Sequence, residues 1–218
     1  MAEDRPTTVL LTGFGPFPGV AFNASSLLVR RLAPRARRRW PQLRISAATL
    51  PTEWERGPAR LAALLRQLDP DIAIHFGVSA RALGLDIETT ARNSCVAAAD
   101  ARDLLPTSPV NAIDGPETRM ATLPVDAIVA RLAAHSIPVR PSDDAGDYLC
   151  NAILYRSLER CALAERRAFA GFVHIPSGLI GAGDDGRAPL GDCPLDWPQA
   201  LDGALLVIEQ ALKLHRPE

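Results

Sequence analysis

Residues 142–158, SDDAGDYLCNAILYRSL, join a polar, glycine-containing turn directly to an apolar helical pattern. Leu149, Ile153 and Leu158 recur at helical spacing, with Ala152 close to the same face. Asp143 or Asp144 is a candidate cap for the first turn. Cys150 falls near that entrance, where a thiol meets the positive end of the helix and the thiolate is favoured. The competing reading is packing, because a free cysteine behaves as a small hydrophobe and is usually buried.

Working outward, residues 136–140 read as a short strand that delivers the chain to this turn, and the helix is expected to run towards Arg167. Residues 168–176, AFAGFVHIP, then form a strand with His174 at its C-terminal end. Further back, TTVLLTGF at 7–14 reads as a central strand, followed by the firm GPFPG loop at 15–19. A short helix is expected from Asn23, Ser25 or Ser26 through Leu32. Strands follow at 43–50 and 71–78, with a helix opened by Pro51-Thr52-Glu53 and running to about Leu68 between them. Residues 79–120 look irregular, with 87–93 as an edge strand or extended loop and 103–118 as a long connection of the kind that is often functional. Residues 123–135 read as a helix burying Ile128, Val129 and Leu132. Residues 177–192 read as a flexible glycine-rich loop, and a last helix is expected from near Asp196 to about Leu214. This alternation argues for one three-layer α/β/α domain over residues 1–218, with a mostly parallel or mixed central sheet and residues 1–6 as a flexible lead.

Composition excludes several classes. The 218 residues are 47% hydrophobic and carry a formal net charge of -1, which offers nothing to attract a nucleic acid. The basic run Arg35, Arg37, Arg38 and Arg39 is short and reads as a solvated helix end. Cys95, Cys150, Cys161 and Cys193 are widely spaced without a CxxC pair, which argues against a zinc site, a redox dithiol or a disulfide framework. The first residues, MAEDRP, lack a signal-peptide layout, and the apolar runs are too short to span a bilayer. The expectation is a soluble cytoplasmic protein without nucleic-acid or membrane partners.

Ligands of such sheets bind beyond the carboxyl ends of the strands, where the loops 15–19, 79–93, 145–150 and 174–180 are candidates. A cysteine nucleophile needs a base, and the base benefits from an orienting acid. His174, at the end of an apolar strand, is the candidate base, although a satisfied strand-end histidine is the plainer reading. Glu88 is a candidate orienting acid, and Asp144 and Asp184 rival it on spacing. The order Glu, Cys, His is one that convergent triads permit. His75, inside its strand, reads as a buried histidine. Trp40, Trp54 and Trp197 read as fold anchors and Cys161 as packing.

Four segments resemble the type I pyroglutamyl peptidases: LLTGFGPFPG with Asn23, LPT at 50–52, DAGDYLCNAILY at 144–155 and GFVHIP at 171–176. They run in family order from near the start of the chain to its last strand. The resemblance implies a cysteine peptidase that removes an N-terminal pyroglutamyl residue through a thioester, without metal or cofactor. It implies Cys150 as nucleophile, His174 as base and later acid, and Glu88 as the orienting acid. Phe14, Phe17, Asn23 and Thr52 match positions around the lactam pocket. The family's active-site arginine, an oxyanion or substrate contact, corresponds to Arg92, to Arg102 or to neither. Homo-oligomers are also implied. The chain departs from the family at Phe17-Pro18-Gly19, at 94–102 and at 177–184. A cysteine-dependent amidase for another small cyclic or acyl amide, and an inactive lactam-binding protein, are the alternative readings.

Overall fold

The computed structural model describes residues 5–179 and 193–215. In chain order the elements are β1 (Thr8–Phe14), α1 (Ala24–Arg39), β2 (Arg44–Leu50), α2 (Arg56–Leu68), β3 (Ile72–Ser79), β4 (Leu85–Glu88), β5 (Thr90–Arg92), β6 (Thr118–Met120), α3 (Val125–Ala133), β7 (Val139–Ser142), α4 (Leu149–Ala162), β8 (Phe169–Pro176) and α5 (Trp197–His215). Asp184 and most of the expected 177–192 loop lie outside the described residues, as do residues 1–4 of the expected N-terminal lead. Arg5, from that lead, is tied to Asp71 at 2.9 Å.

A six-stranded sheet runs in the order β2-β1-β3-β8-β4-β7. Its first four strands are parallel. β4 lies antiparallel to β8 and parallel to β7, so the sheet is mixed. β1 and β8 are buried along their whole length, as expected for apolar runs covered on both faces.

Strand alternation sorts the core into two layers. Val9, Leu11, Ile72, Ile74, Val173 and Ile175 pack with α1, α3 and α5 on one face. Leu10, Phe14, Ala73, Ala170 and Phe172 pack with α2 and α4 on the other. By the same alternation His75 and Gly77 of β3 and His174 of β8 point to the α2/α4 face, where α4 carries Cys150. The register places Gly77 beside His174 and His75 beside Phe172. Among the described residues no helix is long and apolar enough to cross a membrane.

His75 is fully buried between Thr12 Oγ1 at 2.7 Å and Ser157 Oγ at 2.9 Å. Burial pushes its pKa down to about 3, so the ring is neutral and serves to fasten α4 to β1 and β3. It is the buried histidine that its place in an apolar strand suggests.

Several sequence expectations change. The first helix continues past Leu32 to Arg39, with Pro34 inside it. Pro34 lies on the exposed face, where water can satisfy the carbonyl that loses its amide partner. The arginine run forms the last turns of this helix; Arg37 reaches Ile45 O and Arg39 pairs with Glu209, favourable places for cations at a helix C-terminus. α2 starts at Arg56, after a turn, and α4 stops at Ala162 rather than near Arg167. Val129 is only partly buried. The stretch 87–93, expected as an edge strand or extended loop, is divided: its first two residues, 87 and 88, end β4, which sits inside the sheet and is buried throughout. This strand carries two carboxylates, and each has a partner in the fold. Asp86 binds the Arg140 guanidinium at 2.9 and 2.7 Å, and Glu88 binds His174. Residues 90–92 pair with β6 in a separate two-stranded ladder.

Candidate active site

Cys150 is the second residue of α4 and half-buried. Neither Asp143 nor Asp144 caps this helix: the N-cap is Tyr148, without a side-chain hydrogen bond. Asp144 instead accepts Arg81 and Arg92, each at 3.1 Å, and the Gly146 amide. The first amides of α4 therefore keep their intrinsic capacity to bind an anion beside the sulfur.

Asn151, the next residue, is fully buried. Its Oδ1 accepts the Arg92 amide at 2.7 Å, and its Nδ2 donates to the Arg92 and Ser94 carbonyls. It fastens the start of α4 to the end of β5 and the residues just after it. An asparagine among apolar neighbours directly after the cysteine was the available signal for this role.

His174 Nδ1 lies 2.7 Å from Glu88 Oε1, both side chains buried. Asp86 stands directly opposite His174 in the β4/β8 ladder. Glu88 is two residues further on the same face, the diagonal from which a longer side chain reaches the ring. Cys150 and His174 line the same cavity and interact electrostatically. With Nδ1 on Glu88, Nε2 is the ring nitrogen left for the sulfur. Burial opposes charging of His174, but the Cys150 thiolate and the Glu88 carboxylate outweigh it and raise the pKa to about 10. The arrangement keeps the imidazole protonated beside the sulfur at neutral pH. Glu88 Oε2 is buried without a hydrogen-bond partner among the described residues. Of the rival acids, Asp144 is engaged with arginines, and Asp184 lies outside the described residues.

Beside the thiol is a cavity of about 180 Å³ whose walls include Phe14, Phe17, Val78, Tyr148, Cys150 and His174. Asn23 and Thr52 also line it, but both donate to the Gly15 carbonyl, at 3.0 and 2.8 Å. The Asn23 Oδ1 is taken by Ser25, so these two residues shape the 15–19 loop. Phe17 and Val20 exchange backbone bonds around Pro18-Gly19, and Gly19 has φ +80°. This is the pattern of a type II turn, which welcomes proline at its second position and glycine at its third. Pro18 thus stiffens the loop and holds Phe17 towards Tyr148, with ring centroids 6.2 Å apart. Tyr148 was missed in the sequence although it sits two residues before Cys150. Its ring meets Trp54 edge-on at 5.0 Å, and its hydroxyl donates to Ala99 O.

The structure brings neither candidate arginine into the cavity wall. Arg92 turns to Asp144 and the Asp143 carbonyl. Arg102 is exposed, its amide bound to Asp100. The arginine that does line the cavity is Arg81, in the turn between β3 and β4.

The floor is Gly77. A methyl group there would sit 2.7 Å from Phe172 Cζ and 2.9 Å from Cys150 Sγ. Gly77→Ala is expected to cost about 1–3 kcal/mol of stability by overpacking. Displacement of the sulfur should also lower kcat on the order of 100-fold. Thermal unfolding and steady-state kinetics check this; parental values in both would mean that the thiol does not rest on Gly77.

The family model described as pyroglutamyl peptidase matches residues 7–189. A pyrrolidone-carboxylate peptidase of Pyrococcus furiosus is 30% identical over 215 residues, covering 94% of this chain and 98% of its own. One from Cupriavidus pinatubonensis is 36% identical over 171 residues, 78% of each chain. Among solved structures, a mutant pyrrolidone carboxyl peptidase from P. furiosus superposes with a TM-score of 0.83 at 27% identity, covering 95% of this chain and 99% of that one. Pyroglutamyl peptidase I of Bacillus amyloliquefaciens gives 0.80 at 26% identity, covering 94% and 96%.

Proposed function

The chain belongs to the pyroglutamyl peptidase family, and we propose that it removes N-terminal pyroglutamate from peptides with Cys150 as nucleophile, His174 as acid–base and Glu88 as orienting acid. The observation that carries this reading is the buried Glu88–His174 pair at 2.7 Å, which shares one aromatic-walled cavity with a thiol at a helix N-terminus.

The pyroglutamyl ring enters between Phe14, Phe17 and Tyr148. Because Asn23 and Thr52 are occupied by Gly15, its lactam N–H and C=O are matched by backbone groups of the surrounding loops. The Cys150 thiolate attacks the acyl carbon, and the N-terminal amides of α4 stabilise the resulting oxyanion. The imidazolium of His174 gives its proton to the leaving amine as the C–N bond breaks, leaving a thioester. His174, now neutral, takes a proton from water as the water attacks the thioester. Collapse of the tetrahedral intermediate then breaks the C–S bond, which releases pyroglutamic acid and leaves the thiolate beside the imidazolium, restoring the pair.

The four cysteines are free thiols, which suits a reducing compartment and supports the cytoplasmic setting. The homo-oligomer belongs to the same proposal and rests on the family likeness.

Hydrolysis of pyroglutamyl, prolyl and glutamyl amides tests the substrate assignment. Selectivity for the pyroglutamyl compound is expected on the order of 10³–10⁴ in kcat/KM, since a pocket built for the lactam leaves buried polar groups unpaired with the others. Absence of turnover by folded, reduced protein would sink the assignment.

A further inference from the structure

Two cavities meet at His174. The second, of about 320 Å³, is polar; Ser79, Arg81, Asp86, Glu88, Arg140 and Ser142 lie in its wall, and Cys150 does not. Ser79, Arg81, Asp144 and His174 border both cavities, so the two adjoin. The proposed chemistry orders them. The acyl ring occupies the cavity that holds the sulfur and the aromatic rings. The amine departs from His174, and the chain beyond the scissile bond continues on the other side of that imidazole.

We propose that the polar cavity is the subsite for the leaving peptide, and that Arg81 there recognises the free α-carboxylate of a pyroglutamyl dipeptide. The inference rests on the peptidase reading above. The charges select Arg81. The Arg140 guanidinium is held by both oxygens of Asp86. Glu88 and His174 neutralise one another. Asp144 divides its carboxylate between Arg81 and Arg92, so two cations share one anion. Among the described residues only Nη2 of Arg81 is engaged with a side chain, and the group is 72% exposed on the border of both cavities. Its remaining donors form the planar fork that fits a carboxylate. Asp143 also borders the cavity with its carboxylate in solvent, which limits the size of the preference.

The test compares pyroglutamyl-alanine with pyroglutamyl-alanine amide in the parent protein, Arg81→Gln and Arg81→Glu. Arg81 lies in an exposed turn, so both variants should fold. The readout is the ratio of kcat/KM for acid over amide, which cancels any general loss of activity. The ratio is expected to fall about fivefold in Arg81→Gln, the scale of an exposed ion pair, and further in Arg81→Glu, chiefly through KM. The parental ratio should also fall as salt is raised. A ratio unchanged in Arg81→Glu overturns the inference while leaving the peptidase reading intact, because both compounds are still hydrolysed. Failure of the parent protein to hydrolyse either compound overturns the peptidase reading and this inference with it.

Discussion

Cys150→Ala is expected to lower kcat on a pyroglutamyl amide by a factor on the order of 10⁴ or more while the protein stays folded. Alanine keeps the helix and removes only the sulfur, so the aromatic cavity and the α4 amides remain to bind the amide. What disappears is the covalent route through the thioester. Cys150→Ser should also lose most turnover, because a hydroxyl in the same place is a far weaker nucleophile at neutral pH than a thiolate held by an imidazolium. Thermal unfolding of both variants separates loss of chemistry from loss of fold. Retention of activity within tenfold in Cys150→Ala would remove this residue from the reaction.

Glu88→Gln is expected to lower kcat on the order of 10²–10⁴-fold. The amide keeps the shape of the side chain but loses the charge that steadies the imidazolium and fixes its orientation. The pH dependence carries a second signature. His174 is raised to about 10 because the Cys150 thiolate and Glu88 outweigh burial. Loss of the Glu88 charge removes one of the two raising influences, so the His174 pKa falls and the alkaline limb of the rate profile moves to lower pH. Asp144→Asn should leave that limb in its parental place, since Asp144 faces Arg81 and Arg92 rather than the imidazole. An alkaline limb that stays put in Glu88→Gln would show that this carboxylate does not set the charge of the base.

Several parts of this site were legible in the chain. The apolar runs at 7–14, 71–78 and 168–176 announce strands covered on both faces. The polar turn before LCNAIL announces a helix with a thiol in its first turn. Both are local signals: residues a few positions apart share a face, and the period of the pattern names the element. His174 stood out because a polar side chain ending an apolar strand requires a partner.

Other parts were hidden for a physical reason that recurs. Residues 87–93 read as an edge strand or extended loop, whereas 87 and 88 belong to β4, an interior strand that also carries Asp86. The charges are tolerated there only because Arg140 and His174 come from distant parts of the chain to meet them. The first helix was expected to end at Leu32, yet it runs on through Pro34, which lies on the solvent face of α1, where its missing amide costs little. Arg92 and Arg102 resembled site arginines by position after Glu88. The fold turns one towards Asp144 and leaves the other exposed, while Arg81 borders the cavity. Tyr148 and Asn151 flank Cys150 in sequence, but their work depends on Phe17, Trp54, Arg92 and Ser94 arriving from elsewhere.

The sequence by itself thus determined the kinds of element, the α/β layering, the family, and the cysteine and histidine that the proposed chemistry uses. The tertiary structure alone decided the strand order and the antiparallel insertion of β4 beside β8, which brings Glu88, the orienting acid that the family likeness implies, to the imidazole. Periodicity is written in residues close along the chain, whereas Glu88 and His174 lie 86 positions apart. Their 2.7 Å contact exists because sheet register places both on one face and the packed core holds them there.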